Sequence, residues 1–440
     1  MRSTKLRLLD RHATGVFFVL ALLMGGASAT ACGNDAAVRS DDADAEVRYT
    51  PTASGDELDA STDVQDTTAD AGQFDAGQFD AAVREVSCEA SSCAIALTRP
   101  NKASSAGQSF CALLHDGTVT CWGSNSYGQL GNGLDDQLPS VIPQRVVGLS
   151  DVVSLNGSCA LDKDGSAWCW GAGPNLATFP LHASSPVKLP IPAATRLGMS
   201  DSDACALIDG ELQCWGYNNA FLRAPGGTSN TPIPVPVPGA ANARDVVLGA
   251  FAAILLRDDG TLLSWGYPRD IGRATSLVPD RNPDPVALAN VTNVSIARTV
   301  VCAVANGIPY CWGALKTGVY NTDIQLPQPV VTPERVVQIA TTDALGPLPP
   351  RWCAVGGSGA VYCWGKNANG QAGDGTTQHA MTAVKVPVPA LAVHVETTED
   401  STCALLVTGK VLCWGSNYDG QLGNGKGKTP SLVPTEVLLP

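Results

Sequence analysis

The chain has 440 residues, enough for one large domain or several small ones, with 15 cysteines, 45 glycines, 30 prolines and a formal net charge of −13. Most of that charge sits in residues 33–87, which carry −11; the body from Cys88 onward carries −5 and contains no block of Lys or Arg. A phosphate-binding face needs a positive footprint, so the composition excludes nucleic acid as an expected partner.

The first element is a targeting segment. Arg2, Lys5, Arg7 and Arg11 precede "GVFFVLALLMGGA", an apolar run too short for a bilayer, which takes ~20 residues to span. Small residues then lead into "SATACGND", which resembles a bacterial lipoprotein box, with Ala29 where leucine is commoner. The expectation is a signal peptide over 1–31 and a lipid on Cys32, with plain secretion after Ala29 or Ala31 as the alternative. Gly33 and Asn34 follow Cys32, not the Asp associated with retention at an inner membrane, so the expected address is the outer membrane. Residues 32–87 read as an acidic, disordered tether. They hold the tandem "DAGQFDAGQFDAA" and too few large apolar side chains to offset the entropy of ordering. Like charges along the segment favour extension.

From Cys88 to Pro440 one pattern recurs. Trp-Gly occurs at Trp122, Trp170, Trp215, Trp265, Trp312, Trp364 and Trp414, at gaps of 45–52 residues. Each copy has an apolar strand, a glycine turn, a second strand ending in Trp-Gly, and a polar loop. A Pro-then-Val stretch such as "PQRVVGLSDVVSL" leads to the next copy. No helical period is sustained. Seven units, each with room for about four short strands, predict an all-β fold, a seven-bladed β-propeller of four-stranded blades over 88–440. The first unit lacks the Pro-then-Val strand and the last has no following hairpin. "PTEVLL", Pro434 to Leu439, is therefore expected to close the ring by pairing into the first blade. The repeated tryptophans read as core residues between blades.

Setting aside Cys32, fourteen cysteines remain, and an exported chain with so many thiols is expected to carry disulfides. Residues equidistant from a hairpin turn face each other. Cys111/Cys121, Cys159/Cys169, Cys353/Cys363 and Cys403/Cys413 are centred on three-residue loops. The third loop residue is Gly117, Gly165, Gly359 or Gly409, where a left-handed backbone is wanted. Cys205/Cys214 and Cys302/Cys311 are one residue closer and centred on Asp209-Gly210 and Asn306-Gly307, pairs preferred in a two-residue type I′ turn. Spacing and turn chemistry change together, which metal ligation would not require, so no metal is expected. In the fourth blade, "AAILLRDDGTLLSWG", Ile254 and Ser264 replace both partners at once. Cys88 and Cys93 remain to pair with each other in "CEASSC".

"CALLHDGTVTCWGSNSYGQLGNG" and "CALLVTGKVLCWGSNYDGQLGNG" resemble the repeat of the regulator of chromosome condensation family, and "WGKNANGQAGDG" in the sixth blade is similar. The resemblance covers about residues 94–440 and implies a seven-bladed propeller. Blades two to five keep the hairpin and Trp-Gly but lose Gly-Gln-Leu-Gly. The family includes a nucleotide exchange factor for a small GTPase and secreted bacterial proteins that inhibit enzymes, so it implies no single activity. No exchange-factor residue maps onto this sequence.

Catalytic signals are weak. "LDKDGSAW" misses the spacing of a sialidase Asp-box, because Asp164 adjoins Gly165, and "DKDG" lacks the closing Glu of an EF-hand. Asp116 and Asp259 sit in turns, where Asp is structural. The expected function is a non-catalytic binding or scaffolding propeller at the bacterial cell envelope. It is read as a monomer without cofactor that engages a protein or a polysaccharide. The alternatives are a sialidase-like glycosidase, which needs paired carboxylates at one pocket, and a secreted enzyme inhibitor. Strand direction places the turn before each first cysteine and the loop after each Trp-Gly on one rim, and the Gly turns on the other. On the first rim fall Arg351 and Trp352, at the end of "TTDALGPLPPRW", together with Tyr127, Tyr217, Tyr267, Arg269 and Tyr418. These are the candidate binding residues.

Overall fold

The computed structural model describes residues 84–88, 92–100, 108–172, 182–200, 203–218, 231–315, 324–343 and 350–440. The expected signal peptide, Cys32 and the tether as far as residue 83 lie outside the described residues, as do residues 344–349 of the insertion before Cys353.

Seven antiparallel sheets of four strands follow one another along the described residues, and no α-helix is among them. Blade one consists of Ala94–Thr98, Ser109–Leu114, Val119–Gly123 and Ser140–Arg145, in that spatial order. The other six repeat this order. Their first strands are Val152–Asn156, Arg196–Met199, Ala243–Leu248, Val291–Ile296, Val336–Thr341 and Ala392–Thr397. Each first strand touches the first strands of both neighbouring blades, all the way round, so these seven strands line the axis and the ring is closed. In blade one the second and third strands are buried at every position, as sheets sandwiched between sheets require. The fourth strand, Ser140–Arg145, forms the outer wall and is partly open to solvent.

The hairpin turns take the backbone that their residues favour. Gly117 has φ 77° at the third place of its loop, whereas Asp209 and Gly210 (51° and 80°) and Asn306 and Gly307 (51° and 76°) are both left-handed, as a type I′ turn demands. The glycine of Trp-Gly has a separate cause. Gly123 has φ 97°, and a Cβ there would collide with the Gln108 carbonyl on the adjoining strand.

The ring does not close as the sequence suggests. Ser431–Glu436 pairs with Val411–Gly415 inside blade seven and never enters blade one. Blade one has its own first strand, "AIALT" at Ala94–Thr98, paired with Ser109–Leu114. The last seam is instead a packed one. Ala94, Leu97, Phe110 and Trp122 share a core with Leu405, Val411, Leu422 and Val437.

Candidate functional site

Each blade presents its connectors from a stiffened central hairpin. Cys111 faces Cys121 in register, their Cα atoms 4.1 Å apart, and the two are bonded. The same bond joins Cys159–Cys169, Cys205–Cys214, Cys302–Cys311, Cys353–Cys363 and Cys403–Cys413, and Cys88 joins Cys93 ahead of the ring. In blade four Ile254 faces Ser264 in the same register. Ser264 Oγ donates to Ile271 O at 2.6 Å, so a hydrogen bond to the following loop stands in for the cross-link.

The loop after Trp-Gly has a structural task that explains its motif. In blade one Asn125 Oδ1 accepts from Leu130 N, and Gln129 Oε1 accepts from Tyr127 N, which holds the loop in shape. The Gln129 carbonyl then accepts from Trp170 Nε1 of blade two at 3.0 Å. Blade six repeats the contact from Gln371 to Trp414, and blade seven from Gln421 to Trp122. In blade four, where the motif is lost, the Asp270 carbonyl serves Trp312. All four tryptophans are fully buried.

These packing demands decide which candidate binding residues are available. Arg351 and Trp352 are not: their exposures are 0% and 8%. Arg351 Nη2 donates to the carbonyls of Thr398 and Ser401 in blade seven, and Trp352 stacks on Trp364 with ring centroids 6.1 Å apart. Arg351 is thus an interior strut between blades six and seven and Trp352 packs within blade six, which corrects their assignment as binding residues. Tyr127 is half-buried against His182, and Tyr267 packs edge-on against Phe251. Arg269 lies over the same Phe251 ring and pairs with Asp270 at 2.7 Å. Tyr217 and Tyr418 remain exposed, at 44% and 72%, on blades three and seven. Those blades are not neighbours, so the two tyrosines form no single patch.

Where the first strands end on this rim, charges gather that the sequence reading missed. Arg99 follows the first strand of blade one and is buried. Its Nη2 reaches Ile296 O (3.4 Å) in blade five and Thr341 O (3.3 Å) in blade six, and its Nε lies 3.9 Å from Glu396 Oε2 in blade seven. One guanidinium thus reaches across the axis to three other blades. Asp343 accepts from Thr299 N at 2.9 Å, and burial pushes its carboxyl above the usual range. Glu399 is pushed up by burial and by neighbouring Asp400, which itself pairs with Lys366 at 3.0 Å. Burial also brings the Arg351 guanidinium down to about 9. These charged residues come from three different blades, one, six and seven, so no local motif marks them.

Below the mouth, side chains of the first strands satisfy the main chain of the next blade. Asn156 Nδ2 donates to Leu197 O, Asn293 Oδ1 accepts from Ile339 N, Ser295 Oγ accepts from Thr341 N, and Gln338 Nε2 donates to Val395 O. The inner strand of a blade has no sheet partner on its axial edge, and these amides and hydroxyls supply one. Among the described residues, no group of three or more His, Cys, Asp or Glu could hold a metal ion.

The ring of seven blades, with loops handed forward onto the next tryptophan, is a seven-bladed β-propeller, and stretches of it match a known repeat. Profiles of the regulator of chromosome condensation (RCC1) repeat match residues 116–159, 392–421 and 408–440, which run from the hairpin of blade one into blade two and through blade seven. The ultraviolet-B receptor UVR8 of Arabidopsis thaliana is 26% identical over 315 residues, spanning 65% of this chain and 69% of that protein. Prp20p of Saccharomyces cerevisiae has the same fold, with a TM-score of 0.57 and 20% identity over 72% of this chain and 85% of that one. Human WBSCR16 gives 0.58 and 16% over 73% and 95%.

Proposed function

We propose that the chain is a non-catalytic binding propeller, exported and anchored through Cys32 at the bacterial outer membrane, that engages a protein partner through its loop rim. The observation that carries this reading is where the N-terminal segment meets the ring. Arg84 Nη2 donates to Gly357 O at 2.6 Å, and Ser87 N donates to Val407 O at 2.8 Å. Both acceptors belong to the Gly turns of blades six and seven. The chain therefore joins the propeller on the Gly-turn rim, opposite the loop rim. That rim carries the two exposed tyrosines and the connectors that differ most between blades. The Prp20p structure is reported with binding to Gsp1p and histones, which supports a protein over a polysaccharide as partner.

The test has two arms. Cys32→Ser should move the protein from the membrane fraction to the soluble one, and wild-type protein without a lipid mass increment would contradict the anchor. The immobilised propeller should capture a protein from the cell envelope. Tyr217→Ala with Tyr418→Ala should weaken that capture without changing the melting temperature; binding confined to a glycan array would overturn the choice of partner. A second reading, glycoside hydrolysis, draws on the carboxyls of Asp343 and Glu399, both raised by burial at the mouth. Turnover of fluorogenic sugars, lost in Glu399→Gln, would establish it.

A further inference from the structure

Next to Arg99 the axis holds a cavity of about 170 Å³, large enough for several waters or one small molecule. Two polar atoms on its wall have no hydrogen-bond partner. One is Arg99 Nε, a donor on a side chain that is 7% exposed; Glu396 Oε2 at 3.9 Å is too far to bond it. The other is Asn156 Oδ1, an acceptor whose amide nitrogen is already committed to Leu197 O. Both residues line the cavity, together with Asp245, His394 and Glu396. A buried guanidinium donor left without a partner is unfavourable, so an occupant that supplies an acceptor there is favoured.

We propose that this channel binds a small zwitterion, a free α-amino acid or a molecule of the same chemistry. Its carboxylate accepts from Arg99 Nε, and its ammonium donates to Asn156 Oδ1 and faces the Asp245 carboxylate. The wall carries both signs of charge, and this discriminates among occupants. A simple anion gains Arg99 but is opposed by Asp245 and Glu396. A simple cation gains the carboxylates but is opposed by Arg99. A neutral polyol satisfies the two orphaned atoms without compensating either charge.

Titration calorimetry on the intact chain, with glycine, alanine and serine as probes, tests the assignment. Acetate, methylammonium and glycerol are the comparison ligands. At least one amino acid should bind saturably and raise the melting temperature, with each comparison ligand weaker by roughly tenfold or more. Arg99→Gln and Asp245→Asn should each weaken amino-acid binding by a similar factor. Arg99 also bonds across the axis, so Arg99→Gln could fail to fold; Asp245→Asn, at a half-buried position, then decides alone. Three outcomes overturn the proposal: no amino acid binding tighter than about 10 mM, acetate or glycerol binding as well as glycine, or Asp245→Asn binding like wild type.

Discussion

Blade four offers a test in which two opposed effects nearly cancel. Ile254 and Ser264 occupy the register that bonded cysteines occupy elsewhere, where opposed Cα atoms lie 4.0–4.1 Å apart. Ile254→Cys with Ser264→Cys should therefore oxidise to a further cross-strand disulfide. Closing a hairpin loop of this size removes chain entropy worth about 2.8 kcal/mol. Against that, Ile254 is fully buried in the core that also holds Trp312. Shortening it falls between Ile→Val and Ile→Ala and costs about 2 kcal/mol. Ser264 Oγ donates to Ile271 O at 2.6 Å and accepts from Arg273 Nε at 3.3 Å; losing this costs about 1 kcal/mol, because Arg273 keeps Asp280 at 2.7 Å. The balance is near zero. In urea titrations the oxidised variant should stay within about 1 kcal/mol of wild type. Ile254→Cys with Ser264→Ala, which cannot cross-link, should fall about 3 kcal/mol below wild type, the sum of the packing and hydrogen-bond losses. Free thiols in the double-cysteine variant, or a gain above about 2 kcal/mol, would refute the reasoning.

The remaining predictions concern the seam, the strut and the mouth. Gly423→Ala puts a Cβ against the Trp122 ring at a φ of 58°, and calorimetry should show a loss of about 2 kcal/mol or more; an unchanged transition would mean the seam is slack. Arg351→Ala takes the guanidinium donor from the buried Thr398 carbonyl, while the Ser401 carbonyl keeps Thr398 N, and should cost about 3 kcal/mol in denaturant, whereas Tyr418→Ala should stay within about 0.5 kcal/mol. Equal effects would contradict the burial assigned to Arg351. Burial raises the Asp343 carboxyl above its unfolded value of 3.8, so the folded chain holds that proton more tightly than the unfolded one. The resulting stability is present below 3.8 and is lost as pH rises through the raised folded value. Asp343→Asn should therefore flatten the stability profile in that window and raise stability at neutral pH; a profile as steep as wild type would count against it.

The hairpins were legible because each is a local object. Cysteine spacing, turn glycine and strand length all lie within a dozen residues, and each constrains the others. The blade count followed from the same unit recurring. The closure was not legible, since "AIALT" is five residues with neither the proline nor the paired valines that mark later first strands. What identifies it as a strand is its pairing with Ser109–Leu114, a tertiary fact. Arg351 and Trp352 failed for a related reason. An Arg-Trp pair beside an insertion resembles a contact surface until blade seven supplies the Thr398 and Ser401 carbonyls from about fifty residues away. Arg99 carried no local signal, because its partners lie in blades five, six and seven.

Since every blade is an uninterrupted run of four strands, and the seventh hands its loop to Trp122 as the first hands its own to Trp170, the ring has no structural beginning. Its two ends are also neighbours: Ser87 and Ser92 line the same groove as Val437, Leu438 and Leu439. A short linker between them, with the chain reopened between any other two blades, would yield a circular permutant with every sheet intact. A propeller latched by a shared strand could be cut only at the cost of one blade. Here the blade itself is the interchangeable part, and chain order decides only which of seven equivalent seams is left without a peptide bond across it.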